Sequence, residues 1–171
     1  QQATTLGLCY APLPPYEILS TPAAPPAALN TAQALSRVLD FWYNGHTDWR
    51  KPFAQAVLEE PQFLDAFLEE MQTTGRLSQP LSMEKRGLLL YDFCARRYPR
   101  FLPDISLAWI AAGHSLKKQP AQDVRPWKTS SGPLKYYHLE SPYGAYWFGF
   151  DPQIQRHKPV CILRQPPENQ S

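Results

Sequence analysis

Four histidines, three cysteines and fifteen carboxylates are the residues of this 171-residue chain with the chemistry to hold a metal or move a proton. His46, His114, His138 and His157 are scattered, and no pair has the i, i+3 or i, i+4 spacing that sets two imidazoles on one helical face, so no metal motif is expected. Cys9, Cys94 and Cys161 are odd in number and far apart, which suits reduced, mostly buried thiols rather than a disulfide framework or a local metal site. There is no G-x-S-x-G elbow, no glycine-rich phosphate loop and no cysteine flanked by an activating histidine. Glu59-Glu60 and Glu69-Glu70 fall on the polar faces of amphipathic segments, where solvated charge is the ordinary role, not general acid or base catalysis. No catalytic, cofactor-binding or metal-ligating residue is assigned in the chain, and the segment alone is not expected to be an enzyme.

The last third is basic and aromatic. His114, Lys117, Lys118, Arg125, Trp127 and Lys128 precede a pair of strands carrying Tyr136, Tyr137, Tyr146, Trp147 and Phe148. Cations beside stacking surfaces suit a single-stranded nucleic acid or a phosphorylated ligand. His114, Lys117, Lys118, Arg125 and Trp127 are the candidate ligand surface. Alternate aromatics on a short sheet normally bury against neighbouring helices, which is the stronger expectation, and an interdomain surface would use the same residues. Tyr43-Asn44-Gly45 and Tyr91-Asp92-Phe93 read as structural: the rings pack, Asn44 favours a left-handed helix end, and Asp92 bonds a nearby amide.

These residues must be positioned by one domain with appendages, since 171 residues are too few for two domains of ordinary size. Apolar residues at 43% and aromatic residues at 13% argue against wholesale disorder, while 19 prolines predict short elements. The formal charge of +2 makes no strong case for nucleic acid or membrane as partner. It is unevenly spread: residues 1–116 hold nine basic and eleven acidic side chains, residues 117–171 eight and four. No stretch approaches the about 18 apolar residues of a spanning helix, and Gln1-Gln2 lacks the plan of a signal peptide, so a cytoplasmic protein without a membrane partner is expected. A first residue other than Met suggests a piece of something longer.

The predicted architecture is mainly α within an α+β class: four to five short helices packed as an orthogonal bundle, then a small antiparallel β-sheet of two to three strands. Residues 1–28 read as a proline-rich arm, since each proline pushes its predecessor toward extended backbone. A helical domain over 29–113 follows. Its first helix is capped by Asn30 or Thr31 and buries Leu35, Val38, Leu39, Trp42 and Tyr43. A segment from Pro52 to Glu60 has Phe53, Val57 and Leu58 on one side. A helix starting at Pro61 buries Leu64, Phe67, Leu68 and Met71, with Gly75 ending it. Ser82 caps a helix to Arg97 that buries Leu89, Leu90, Phe93 and Cys94, and a short helix runs from Asp104 to Ala112 before Gly113. Residues 114–133 read as a basic loop, 134–164 as the β region, and 165–171 as a frayed, disordered tail.

Gly7-Leu8-Cys9-Tyr10, then Pro14-Pro15-Tyr16-Glu17-Ile18-Leu19-Ser20-Thr21, then Phe41-Trp42-Tyr43-Asn44 after a helix, then Leu89-Leu90-Tyr91-Asp92-Phe93 and Pro103 form an ordered set. The set resembles the C-terminal domain of unknown function of cobalamin-binding-domain radical SAM proteins. The resemblance spans about residues 7–112, is weaker to 164, and departs at the proline-rich insert 22–26 and in the tail. It implies a parent enzyme whose N-terminal cobalamin-binding domain and radical SAM barrel hold cobalamin, a [4Fe–4S] cluster on a C-x-x-x-C-x-x-C motif, and S-adenosylmethionine. This chain has neither that cysteine triplet nor a D-x-H-x-x-G cobalamin motif. The resemblance therefore implies an accessory domain with no cofactor of its own, partnered by those N-terminal domains, that recruits substrate or closes the barrel. Tyr10, Pro14, Pro15, Tyr16 and Glu17 are its candidate interdomain contacts. The alternative is a nucleic-acid or protein-binding adaptor that uses the basic loop and the aromatic strands.

Overall fold

A proline pair, not Asn30 or Thr31, starts the first long helix. Pro26 lacks an N–H that the first turn would leave unpaired anyway, and its fixed φ suits that turn, so helix α1 (Pro26–Trp42) begins there, with Pro25 extended before it. Thr31 lies inside the helix, where its hydroxyl donates to the Ala27 carbonyl at 3.0 Å. The computed structural model describes residues 7, 9, 10, 12, 18–44, 48–128, 132–142, 144–154 and 158–167. The arm expected over 1–28 is thus not a single free extended segment: strands β1 (Cys9–Tyr10) and β2 (Ile18–Ser20) pair antiparallel, and its last residues, 26–28, are the first turn of α1.

Helix α2 (Arg50–Glu59) buries Pro52, Phe53 and Ala56 but leaves Leu58 facing solvent, against the expectation of a Phe53–Leu58 face. Pro61 and Gln62 form a turn, and α3 (Phe63–Thr73) opens two residues later than expected. It ends at Gly75, whose φ of 65° is left-handed, and a 3₁₀ turn at Arg76–Ser78 follows. Helix α4 (Met83–Arg97) is capped as predicted, Ser82 Oγ accepting from the Lys85 N–H at 3.2 Å. A 3₁₀ turn at Pro99–Phe101 leads into α5 (Leu102–Ala112), which ends at Gly113 with φ 85°.

The segment read as a basic loop holds structure of its own: a 3₁₀ turn at Gln119–Ala121 and strand β3 (Arg125–Trp127). Arg-Pro-Trp has no alternation to betray a strand; its pairing with β4 (Lys135–Ser141) makes it one, and an edge position tolerates Pro126. With β5 (Gly144–Phe150) and β6 (Cys161–Leu163) the sheet has four antiparallel strands in the order β3-β4-β5-β6, one or two more than expected. Residues 165–167 are described after β6, whereas the end of the predicted tail, 168–171, lies outside the described residues.

One core joins the two layers. Trp42, Phe53, Phe63, Phe67, Phe93 and Phe101 form an aromatic cluster between the helices, Trp42 meeting Phe67 edge-on at 4.9 Å and Phe67 meeting Phe93 at 5.0 Å. Leu139, Tyr146 and Phe148 from the sheet belong to the same buried cluster. The chain is therefore an α+β protein with, among the described residues, five α-helices, the β1–β2 pair and a four-stranded antiparallel sheet.

Candidate functional site

The ordered residues that carry the resemblance fall into three structural groups. Pro14, Pro15, Tyr16 and Glu17 lie outside the described residues, and of Tyr10 only the backbone is described, paired with Ile18. A second group is core. Trp42 is fully buried and its Nε1–H donates to the Arg86 carbonyl at 3.0 Å, while Leu90, Tyr91 and Phe93 are buried in α4. Tyr91 Oη accepts from Gln122 Nε2 at 3.2 Å. Burial, with the charges of Asp123 and Asp92 adding to it, raises the Tyr91 pKa above the usual phenol value. Arg86 ties the two stretches together: Nε donates to the Leu81 carbonyl at 3.0 Å, Nη1 to the Phe41 carbonyl at 3.2 Å, and the guanidinium lies 4.7 Å from the Phe41 ring centre.

The third group is exposed. Tyr43 follows Trp42 directly yet is 39% exposed, with the Arg50 guanidinium 5.1 Å from its ring centre. Asn44 does not take the left-handed conformation expected of it, since no non-glycine residue among those described has positive φ. Its Nδ2 instead donates to Asp40 Oδ1 at 2.9 Å, and its backbone N–H donates to the Leu39 carbonyl. Beside Tyr43 lies an open groove of about 820 Å³, lined along α2 by Arg50, Lys51, Ala54, Gln55 and Leu58 and edged by Asp48 and Glu59. Leu58, at 85% exposure, is the most exposed large apolar side chain described. The wall thus mixes one aromatic and one aliphatic side chain with charges of both signs.

The five residues of the candidate ligand surface are not brought together. His114 packs against Trp49, stacked at 5.4 Å, and against Trp109 at 4.7 Å, the two indoles themselves 6.0 Å apart, with Nε2 at 4.0 Å from Asp48 Oδ2. Lys118 pairs with Glu84 of α4 at 3.2 Å, and Lys117 is exposed beside it. Arg125 donates to the Gln122 and Val124 carbonyls, and Trp127, two residues on along the same strand, is exposed at the sheet edge. Sequence reading missed that His114 is an aromatic-packing residue; the signal was Trp49 and Trp109, which lie in different helical segments and meet only in the folded chain.

The three thiols are not arranged to hold an iron–sulfur cluster of the kind that the resemblance implies for the parent enzyme. Cys9 is exposed on β1, Cys94 is buried in α4 where burial pushes its thiol up to about 12, and Cys161 is half-buried on β6. They sit on three separate elements. Among the described residues no group of three or more His, Cys, Asp or Glu side chains gathers to hold a metal. The donor set does not fit a cluster, and no step through one is derived for this chain.

Of the two Glu-Glu pairs, Glu60 pairs with Arg100 of the 3₁₀ turn at 3.3 Å and Glu70 with Arg96 of α4. Asp104 is different. One of its oxygens is buried without a hydrogen-bond partner, and burial, with Glu59 adding to it and Lys51 opposing, raises its pKa. Among the described residues no helix is long and apolar enough to cross a membrane. Compared with protein-family models, with curated proteins and with solved structures, the chain shows no significant match.

Proposed function

We propose that this chain is a non-catalytic accessory domain of a cytoplasmic enzyme of the cobalamin-binding radical SAM type. It works by docking against the barrel that holds the [4Fe–4S] cluster, S-adenosylmethionine and cobalamin, helping to bind substrate or to close the barrel mouth. Radical intermediates survive where solvent and stray hydrogen donors are kept out, and a docked cover supplies that exclusion. The observation that supports the reading is the division within the resembling stretch Phe41–Asn44. Trp42 is consumed by the core, while Tyr43 stands exposed at a groove that also presents Leu58. A ring and a leucine exposed beside one groove suit an interdomain contact.

The first test is to read the coding sequence upstream of Gln1 for an in-frame C-x-x-x-C-x-x-C barrel. A start codon immediately before Gln1 would overturn the reading. With the barrel present, Leu58→Asp and Tyr43→Ala in the full-length protein are expected to leave cluster content intact. Each should slow substrate turnover and raise hydrogen exchange in the barrel segment that the domain covers. Unchanged exchange and turnover in both variants would remove this groove as the contact.

A further inference from the structure

Every described arginine but one has a partner. Arg37, Arg86 and Arg125 donate to backbone carbonyls, Arg96 and Arg100 pair with glutamates, and Arg50, Arg97 and Arg164 lie over aromatic rings. Arg76, in the 3₁₀ turn between α3 and α4, makes no hydrogen bond, ion pair or ring contact among the described residues. It lines a cavity of about 240 Å³ together with Lys85 of α4, whose ammonium is equally unpaired. The chain brings the two together by local means: left-handed Gly75 ends α3, and the Ser82 cap restarts the backbone as α4 with Lys85 in its first turn.

No carboxylate lines this cavity. The acids nearest in sequence are engaged elsewhere, Glu70 with Arg96 and Glu84 with Lys118. The rest of the wall is mixed: Gln79 offers an amide, and Pro80, Leu88 and Leu89 an apolar side, the two leucines half-buried. Leu88 and Leu89 follow Lys85 at i+3 and i+4, which sets all three on one side of α4. Two unpaired cations beside an apolar strip suit an anionic head with an apolar tail. The Arg76 fork matches two oxygens at once, and Lys85 adds a point charge for a third. A carboxylate has one charge and two oxygens, whereas a phosphate monoester has close to two charges and three oxygens, so the phosphate uses both cations. The volume lies below the about 300–1,000 Å³ of sites for drug-sized molecules, which sets the ligand as a small one.

We infer that the cavity between the Arg76–Ser78 turn and α4 binds a small phosphate monoester, its phosphoryl group on Arg76 and Lys85 and its apolar tail along Leu88 and Leu89. The cavity shares no residue with the α2 groove, so its failure leaves the accessory-domain reading untouched. The experiment is a proton–nitrogen NMR titration of the full chain with butyl phosphate, methyl phosphate and butyrate. Butyl phosphate is expected to give saturable shifts centred on the amides of residues 74–89. It should bind at least about fourfold more tightly than methyl phosphate, the effect of one buried methylene, and more tightly than butyrate. Replacing both cations, Arg76→Gln with Lys85→Gln, should weaken butyl phosphate at least about tenfold, the effect of one charge-assisted hydrogen bond. Both side chains are exposed and the Ser82 cap uses the Lys85 backbone N–H, so the urea midpoint should stay unchanged. Arg76→Lys, which keeps the charge and loses the fork, should fall between parent and double variant. An absence of saturable shifts, butyl phosphate binding no more tightly than methyl phosphate or butyrate, or a folded double variant that binds as tightly as the parent would each overturn the inference.

Discussion

At the residue scale, Asp104 and Cys94 show what burial does to ionisation. Asp104 sits in the first turn of α5 with one oxygen cut off from water, and its pKa is raised above 3.8 chiefly by burial. A raised carboxyl pKa means that the contribution of Asp104 to stability is full below about pH 3.8 and is lost as pH climbs through the folded-state value. Asp104→Asn should therefore track the parent at low pH and become relatively more stable above it, as read by urea unfolding from pH 3 to 7. Parallel curves across that range would contradict the burial account. Cys94, fully buried with its thiol pushed up to about 12, should resist Ellman's reagent at pH 8 until the chain unfolds, whereas exposed Cys9 should react at once. Rapid labelling of Cys94 in the folded protein would show that α4 opens locally.

Elements here are joined by a few close approaches that residue spacing does not reveal. Gly87 in the middle of α4 is one: a β-carbon there would lie 2.3 Å from the Trp49 ring, whose Nε1–H donates to the Met83 carbonyl at 2.8 Å. Replacing a helical glycine by alanine ordinarily stabilises by about 1 kcal/mol, but rigid overpacking against a buried indole opposes it with about 1–3 kcal/mol or more. Gly87→Ala is thus expected to lower the urea midpoint, and an unchanged or higher midpoint would show that Trp49 moves freely. The cap of α4 is an independent contribution, and Ser82→Ala should destabilise by about 1 kcal/mol in the same measurement. Helices α3, α4 and α5 were legible to within two residues at each end, since amphipathic spacing, Ser82, Gly75 and Gly113 are local signals, whereas α3 opens at Phe63 rather than Pro61 and α5 at Leu102 rather than Asp104. The start of α1 was misplaced because Asn30 and Thr31 are good caps in isolation, while Pro25-Pro26 had been grouped with the arm.

For the whole molecule, Phe148 from the sheet and Trp42, Phe67 and Phe93 from the helices share one buried cluster. Helical circular dichroism and tryptophan fluorescence should therefore lose their signals in one coincident thermal transition, and Phe148→Ala, worth about 3–5 kcal/mol, should shift both together. Two separated transitions would mean that the sheet folds apart from the helices. The sequence alone determined the type and approximate number of the helices and the hairpin of aromatic strands, because periodicity, caps and turn residues act over a few residues. Only the tertiary structure decided that His114 packs against both Trp49 and Trp109, and that Arg-Pro-Trp at 125–127 is a strand. It also placed Tyr43 and Leu58 beside one open groove and Trp127 edge-on against Trp147. Those outcomes depend on which surfaces meet across tens of residues, and a buried ring or a paired edge strand is defined by its distant partner rather than by its neighbours in the chain.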